Sequence, residues 1–233
     1  MDYGLGNLRA FQHIYERMNF GVEIAKTPEA IQKAEVLILP GVGSFDWAMT
    51  RLKESGLLPV LEKKVLGEKT PILGVCVGMQ MLAEQSEEGQ MNGLGWIGGK
   101  VKKLGNNKGE EGVQKAVGGW PLAVGGLPAK SEKPENPASG ESSSELILPH
   151  MGWNDAQPVR ESPLFRGLEK PQFYFLHSYY FVPSNSNHFL GTTKYGIRFA
   201  SAVGKDNVYG VQFHPEKSHG SGIRLLRNFV EMC

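Results

Sequence analysis

In the first third of the chain, apolar residues alternate between helical and strand-like spacing. Phe11, Ile14, Tyr15 and Met18 recur at helical intervals, which predicts a helix over residues 8–18. The same criteria predict four further helices, one beginning at residue 28, one after residue 43, and two covering residues 60–66 and 79–84. They predict strands at residues 22–24, 36–39 and 72–75. Strands that alternate with helices indicate an α/β fold with a doubly wound, mostly parallel sheet.

The second half of the chain has a different pattern. Short apolar runs separated by turn residues predict strands at residues 173–181, 189–192, 197–203 and 208–213, followed by a closing helix at residues 223–232. This pattern indicates an antiparallel extension beside the parallel sheet. A chain of 233 residues with 40% hydrophobic residues suits a single domain covering residues 1–233.

The segment from about residue 105 to residue 145 interrupts this pattern. Its second part, residues 130–145, is polar and rich in proline and serine, so it has too little apolar surface to order itself. We predict a disordered insertion on the surface of the domain. A loop specific to a partner protein is the alternative reading.

Charge and cysteine content exclude several classes of protein. The formal net charge is +1, which gives no bulk electrostatic case for nucleic acid or an anionic membrane as a partner. No apolar run approaches the roughly 20 residues of a membrane span, and no secretory signal is visible. The two cysteines, Cys76 and Cys233, do not indicate a disulfide framework, so we expect a cytoplasmic protein.

The pentapeptide Gly-Val-Cys-Val-Gly at residues 74–78 joins an apolar strand pattern to a helical one. A strand, a sharp turn and a helix with glycine at i−2 and i+2 are typical of a nucleophile elbow, here with Cys76 at its tip. We expect strained backbone angles at the tip and close backbone packing beside it. A helix N-terminus favours the thiolate. A lone cysteine is more often a small buried hydrophobe, so the turn alone does not indicate catalysis.

A base and an orienting carboxylate follow near the C-terminus. His214 comes after a short apolar strand pattern, and Glu216 lies two residues further on, across a proline. Histidine can accept the thiol proton and later protonate a leaving amine, while a carboxylate fixes the imidazole tautomer. Cys76, His214 and Glu216 in this order therefore predict a catalytic triad.

The sequences around this triad resemble the class I, or triad, glutamine amidotransferases. The resemblance rests on Gly-Val-Cys-Val-Gly-Met-Gln from residue 74 and Gly-Val-Gln-Phe-His-Pro-Glu from residue 210. Four further segments resemble one branch of that family, the glutaminase subunits of histidine biosynthesis: residues 2–8, 39–45, 149–154 and 175–180. The resemblance covers nearly the whole chain except residues 105–146.

The resemblance implies that Cys76 attacks the side-chain amide of glutamine and forms a glutamyl thioester. The developing oxyanion needs hydrogen-bond donors. The amide of Val77 and the loop formed by Gly41, Val42 and Gly43 are the implied sources, with a peptide flip in that loop. A plain strand-to-helix turn is the alternative reading of the loop.

The resemblance also implies residues that border the glutamine pocket. Gln80 lies four residues after Cys76 and so faces the same side of a helix. His177, Ser178 and Tyr179 match the family segment beside the substrate. As isolated residues, these three are equally well explained as ordinary polar and aromatic positions of a strand.

Other matching positions face a partner chain in the family. By resemblance the partner is a (β/α)₈-barrel cyclase subunit in a heterodimer, and the residues that face it are Asn7, Met151, Trp153 and Lys217. Methionine and tryptophan are enriched at protein interfaces. A core position for Trp153 and a solvated lysine at 217 are the alternatives.

No motif indicates a metal or another cofactor. The chain has no Cys-x-x-Cys pair, no histidine cluster with ligand spacing and no Gly-x-Gly-x-x-Gly after a strand. Two other functions stay open: the glutaminase of another pathway, such as those of anthranilate, carbamoyl phosphate or pyridoxal phosphate, and a catalytically silent regulatory subunit.

The N-terminus departs from the family. Family members carry an apolar strand immediately before the aspartate that corresponds to Asp2, whereas this sequence begins at Met1. A buried strand of about five apolar residues contributes roughly 1.5–3 kcal/mol for each side chain. We therefore predict that the natural start lies upstream of Met1.

Overall fold

The computed structural model describes residues 1–105 and 146–233, so the insertion predicted at about 105–145 lies outside the described residues. The α-helices are α1 (Leu8–Arg17), α2 (Pro28–Lys33), α3 (Phe45–Glu54), α4 (Leu58–Glu62), α5 (Val77–Gln80) and α6 (His219–Glu231). The strands are β1 (Leu37–Gly41), β2 (Ile72–Cys76), β3 (Gln85–Ser86), β4 (Gly99–Lys103), β5 (His150–Asp155), β6 (Gln157–Pro158), β7 (Gln172–His177), β8 (Tyr179–Pro183), β9 (Phe189–Tyr195), β10 (Ile197–Lys205) and β11 (Val208–Val211).

The main sheet is mixed. In the described part of the chain its strand order is β1-β2-β11-β10-β9-β6. Strands β1, β2 and β11 are parallel, whereas β10, β9 and β6 continue the sheet antiparallel. Short turns join β9 to β10 and β10 to β11, and strands joined by short turns must run antiparallel. The predicted α/β class and antiparallel extension are confirmed, with a parallel part of three strands.

Two smaller sheets, β3-β4-β8 and β5-β7, complete the described strands. The single strand predicted over residues 173–181 is divided at Ser178 into β7 and β8. Strand β7 pairs with β5, whereas β8 pairs with β4. The chain therefore changes sheet at residues 177–179, which the sequence predicts to border the glutamine pocket.

The helices follow the sequence pattern closely. Thr27 caps α2, because its side-chain oxygen accepts a hydrogen bond from the amide of Ala30 at 3.3 Å. Met49 and Leu52 are buried on α3 as predicted. Helix α4 continues as a π-helical turn, Lys63–Gly67, and together they account for the predicted helix at residues 60–66.

The helix predicted over residues 79–84 is shorter than expected. Helix α5 ends at Gln80, and the chain turns at once. The amide of Glu84 then donates to the carbonyl of Gly99 at 3.0 Å, which ties the turn to the small sheet at β4. Pairing with a distant segment therefore overrides the local helical pattern.

The strand predicted at residues 22–24 is wrong. These residues have no regular secondary structure, and together with residues of β1 they line a cavity of about 650 Å³. Apolar side chains that include Phe11, Val22 and Ile24 line the cavity. The Met1 amine donates to the carbonyl of Ile38 at 2.9 Å at one end of it.

Across residues 1–105 and 146–233, no helix combines the length and the apolar character needed to span a membrane.

Candidate active site

Cys76 lies at the junction of β2 and α5, as the elbow predicts. Its backbone has φ +56° and ψ −113°, a left-handed conformation that few non-glycine residues adopt. The expected strain at the tip is confirmed. Only 4% of Cys76 is exposed, so its thiol faces a largely dry environment.

Three glycines allow the elbow to form. A Cβ atom on Gly74 would lie 2.6 Å from the carbonyl oxygen of Gly78, and a Cβ on Gly78 would overlap the carbonyl oxygen of Leu39. A Cβ on Gly41, at the end of β1, would overlap the backbone of Gly78. Backbone therefore packs directly on backbone on both sides of Cys76, which is the reason for glycine at i−2 and i+2.

His214 and Glu216 form a buried pair beside the thiol. The Nδ1 atom of His214 lies 2.9 Å from Oε1 of Glu216, and the two side chains are 6% and 3% exposed. Burial by itself lowers the pKa of His214, but hydrogen bonds to Cys76 and Glu216, together with their negative charges, raise it to about 10. The imidazolium form of His214 is therefore favoured at this position.

The backbone around His214 is fixed by neighbouring elements. The amide of His214 donates to the carbonyl of Tyr174 on β7 at 2.8 Å, and its carbonyl accepts from the Ser218 hydroxyl at 2.6 Å. Pro215 opens the short 3₁₀ turn Pro215–Lys217, which carries Glu216 back beside the imidazole. The triad is thus assembled from the end of β2 and the segment after β11.

No sequence motif assigns a role to Gln212, but the structure places it next to the thiol. Its Nε2 atom lies 3.9 Å from Sγ of Cys76, and its Oε1 atom accepts from Nε2 of Gln80 at 3.1 Å. Gln212 is completely buried. The available signal was its spacing of two from His214, because alternate residues of an extended chain face the same side.

The predicted pocket residues converge on the same region. Gln80 is buried, and its Nε2 atom also donates to the carbonyl of Tyr179 at 3.0 Å. The carbonyl of Leu176 lies 3.9 Å from Sγ of Cys76, while Ser178 and Tyr179 are half-buried. Both ring nitrogens of His177 are hydrogen-bonded inside the protein, so its imidazole contacts protein groups rather than open space.

The predicted oxyanion residues flank the thiol from two elements. Val77 directly follows Cys76 and opens α5. Gly41 ends β1 opposite Cys76 in the parallel register, and Val42 and Gly43 follow at the surface, with Val42 39% exposed. Gly43 has φ +84°, a conformation that favours glycine.

Three of the four predicted interface residues share one exposed surface. Met151 and Trp153 lie on β5 and are 65% and 48% exposed. Trp153 contacts Tyr174 edge-on at 6.3 Å between ring centroids, and Nζ of Lys217 lies 5.8 Å from the same tyrosine ring. We call the surface formed by Met151, Trp153, Tyr174 and Lys217 the β5 face. Asn7 is exposed at the start of α1, which contacts the turn that carries Lys217.

The arrangement is suited to nucleophilic acyl transfer. A buried thiol, an imidazole and a carboxylate stand in sequence, and the amide after the nucleophile opens a helix. Within the described residues, no group of three or more His, Cys, Asp or Glu side chains is placed to hold a metal ion.

Comparisons with known proteins identify the family of the chain. The family described as "Glutamine amidotransferase class-I" matches residues 1–233. The chain is 45% identical over 233 residues to the "Imidazole glycerol phosphate synthase subunit HisH" of Bdellovibrio bacteriovorus, covering all of this chain and 98% of the relative. It is 42% identical to the protein of the same description in Leptospira interrogans, with the same coverage.

A solved glutamine amidotransferase structure superposes with a TM-score of 0.64 at 17% identity and covers 97% of this chain and 94% of that one. At that identity the match shows the fold alone. The family match and the HisH relatives both extend over the full 233 residues. The chain therefore belongs to the class-I glutamine amidotransferase family, among the relatives of imidazole glycerol phosphate synthase subunit HisH.

Proposed function

We propose that this protein is the glutaminase subunit of imidazole glycerol phosphate synthase and releases ammonia from glutamine for histidine biosynthesis. The observation that carries the proposal is the buried arrangement of Cys76, His214 and Glu216 at a strained elbow. The full-length similarity to HisH proteins favours this branch over the glutaminases of other pathways. The complete triad argues against a silent regulatory subunit.

The chemistry follows from the positions of the three side chains. The Cys76 thiolate attacks the amide carbon of glutamine, and the Val77 amide and the residue 41–43 loop stabilise the oxyanion. The His214 imidazolium gives its proton to the leaving nitrogen, so ammonia departs and a glutamyl thioester remains. Water, deprotonated by the now neutral His214, hydrolyses the thioester to glutamate and the free thiol. Glu216 holds the imidazole tautomer throughout.

Gln80 and the segment at residues 177–179 are proposed to bind the glutamine substrate. They meet at one carbonyl, because Nε2 of Gln80 donates to the Tyr179 oxygen. The half-buried backbone and side chains of Ser178 and Tyr179 are available to the α-amino and α-carboxylate groups. His177 contributes through the backbone that it holds in place.

The β5 face is proposed to dock the cyclase subunit. It combines an exposed methionine, two aromatic rings and a lysine, a composition typical of protein interfaces. It lies on β5 and β7, and β7 also supplies the Leu176 carbonyl beside Cys76. By family resemblance, the ammonia passes to a barrel cyclase that makes imidazole glycerol phosphate and AICAR, a lyase-type overall reaction.

We also infer a cytoplasmic location and no cofactor. Both cysteines are free thiols, and a reducing compartment keeps the catalytic thiolate available. The proposed hydrolysis uses only side chains and amides of this protein, glutamine and water.

The test is glutamate release from glutamine by the complex with its cyclase, with and without the nucleotide ligand of the cyclase. We expect release that the ligand stimulates and that Cys76→Ala lowers by about 10⁴-fold or more, because the nucleophile is removed. Cys233→Ala is the matched control and retains full activity, since Cys233 is an exposed thiol at the C-terminus. Wild-type complex without glutamate release under any condition refutes the proposal.

A further inference from the structure

Two buried histidines face each other where β5 pairs with β7. His150 on β5 and His177 on β7 are register partners in the antiparallel pair, and Nδ1 of His150 lies 3.0 Å from Nε2 of His177. The His150 ring stacks between Phe175, at 4.7 Å, and Tyr195, at 4.0 Å between centroids. Neither histidine belongs to the catalytic triad.

The surrounding hydrogen bonds fix the tautomer of each ring. Nδ1 of His177 lies 2.9 Å from the Tyr179 carbonyl, and a carbonyl can only accept, so Nδ1 of His177 carries the proton. Its Nε2 must then accept from His150, whose proton is therefore also on Nδ1. Nε2 of His150 accepts from the amide group of Asn154 at 3.2 Å.

Asn154 fixes the outer end of this series of hydrogen bonds. Its amide nitrogen also donates to the Lys194 carbonyl at 3.0 Å, and its oxygen accepts from the Asp155 amide at 2.8 Å. The orientation of the Asn154 amide is therefore determined. Hydrogen bonds thus run in one direction from Asn154 through His150 and His177 to the Tyr179 carbonyl.

Burial keeps both imidazole rings neutral, as the direction of these hydrogen bonds requires. It lowers the pKa of His150 to about 4. Burial also lowers the pKa of His177 to about 3, against the hydrogen bond to Tyr179, which raises it, and with smaller lowering contributions from His150 and His214. A neutral imidazole has one donor and one acceptor, which matches the two contacts that each ring makes.

Further hydrogen bonds connect the inner end of this series, the Tyr179 carbonyl, to the Cys76 thiol. The Tyr179 carbonyl accepts from both His177 and Gln80, which uses both of its lone pairs. Gln80 then donates to Gln212, and Gln212 donates to Sγ of Cys76. The two glutamine amides beside the nucleophile are oriented by a carbonyl that His177 holds in place.

We propose that His150 and His177 are positioning residues for the glutamine site: a one-directional relay from Asn154 fixes the Tyr179 carbonyl and, through it, Gln80 and Gln212 beside Cys76. The role rests on the proposed glutaminase function. The proposal gives a role to two buried imidazoles that are not part of the catalytic triad.

The first test determines the tautomer of each histidine ring by long-range ¹H–¹⁵N NMR. The variants His150→Phe and His177→Phe assign the signals. Neutral histidine usually carries its proton on Nε2. We expect wild-type His150 and His177 both to be neutral and protonated on Nδ1 at pH 7. An Nε2-protonated or cationic ring at either position refutes the relay, whether or not the protein is active.

The second test separates positioning from folding by kinetics of the complex with its cyclase. His150→Phe keeps the stacked ring but removes both hydrogen bonds, and we expect KM for glutamine to rise roughly tenfold while kcat changes less than about twofold. His150→Asn places an amide N–H near the position of Nδ1 and should restore KM toward the wild-type value. The fraction of molecules with a reactive Cys76 is counted by iodoacetamide alkylation.

A merely structural role lowers the fraction of reactive molecules and leaves KM unchanged, and that outcome refutes the positioning role. Equal KM values for His150→Phe and His150→Asn, both raised, refute it as well. Wild-type complex that hydrolyses no glutamine refutes the proposed function itself, and the two failures are therefore distinguishable.

Discussion

The two edges of β1 differ sharply. On one edge, β1 pairs with β2 residue by residue from Leu37 opposite Ile72 to Gly41 opposite Cys76. At the end of that edge, a Cβ atom on Gly41 would overlap the backbone of Gly78, and a Cβ atom on Gly78 would overlap the carbonyl oxygen of Leu39. On the other edge, a cavity of about 650 Å³ takes the place of a neighbouring strand in the described chain.

The closed edge of β1 positions the candidate active site, because Cys76 is held there by direct backbone contact with β1. The open edge contributes apolar surface but little packing. A protein interior is close-packed elsewhere, so a cavity of this size forfeits contacts that its lining side chains would otherwise make. Changes at the two edges should therefore have opposite effects on stability.

The largest effect is expected at the closed edge, from Gly78→Ala. The new methyl group overlaps the Leu39 carbonyl, so backbone must move, and we expect a loss of about 3 kcal/mol in the free energy of unfolding. Urea denaturation measures it. Gly21→Ala is the matched control beside the cavity, because nothing lies within 4 Å of its new methyl group, and it should change stability by less than about 0.5 kcal/mol. Equal losses in the two variants contradict the difference between the edges.

A smaller effect of opposite sign is expected from filling the cavity. An added segment of four residues, Ala-Val-Ile-Val, ahead of Met1 places apolar side chains against Phe11, Val22 and Ile24. Each buried side chain gains about 1.5–3 kcal/mol, and ordering costs about 1.5 kcal/mol for each residue. We expect a net gain of about 2 kcal/mol by urea denaturation. A Gly-Ser-Gly-Ser segment is the control, and an equal gain with it refutes cavity filling. The predicted upstream start of the natural chain stays a prediction.

A third difference is expected in the pH dependence of stability, where the two edges have opposite signs. The pKa of His214, about 10, lies above its ordinary value of 6.5, so its contribution is present below pH 6.5 and is lost as pH rises through 10. Burial lowers the pKa of the Met1 amine from 8.0 to about 6, partly offset by Asp2. Its contribution is present above pH 8 and is lost as pH falls through 6.

Denaturation of two variants at several pH values separates the contributions of the two groups. The four-residue apolar extension removes the charged amine from the cavity, so its stability should no longer rise between pH 6 and 8. Glu216→Gln removes the carboxylate beside His214, so the fall in stability between pH 6.5 and 10 should become shallower. Unchanged profiles in both variants contradict these assignments.

Sequence reasoning succeeded where local chemistry decides the structure. The elbow was predictable because glycine at 74 and 78, a strand pattern before them and a helix after them are all contiguous. The cap at Thr27 and the buried face of α3 follow from spacing alone. The proposed roles of Cys76, His214 and Glu216 also came from short motifs, and the structure brings the three side chains together.

Sequence reasoning failed where contact with a distant segment decides the local structure. The apolar run at residues 22–24 has the composition of a strand, but a strand requires a hydrogen-bonding neighbour, and the space beside β1 is open. The helical run at residues 79–84 ends early because the Glu84 amide pairs with Gly99. The contact of Gln212 with Cys76 joins residues 136 apart in sequence, and the spacing of Gln212 from His214 indicates its side of the chain but not this partner. The His150–His177 contact joins residues 27 apart, and no local pattern encodes it.

The sequence by itself determined the α/β class, the elbow and the chemical type of the nucleophile, base and carboxylate, because each depends on residue type and short-range spacing. Only the tertiary structure decided which further polar groups surround Cys76 and which edge of β1 stays open. Hydrogen-bond directions through Tyr179, Gln80 and Gln212 depend on how β2, β8 and the segment after β11 meet. That meeting is set by long-range packing of the sheets, which a pattern along the chain does not contain.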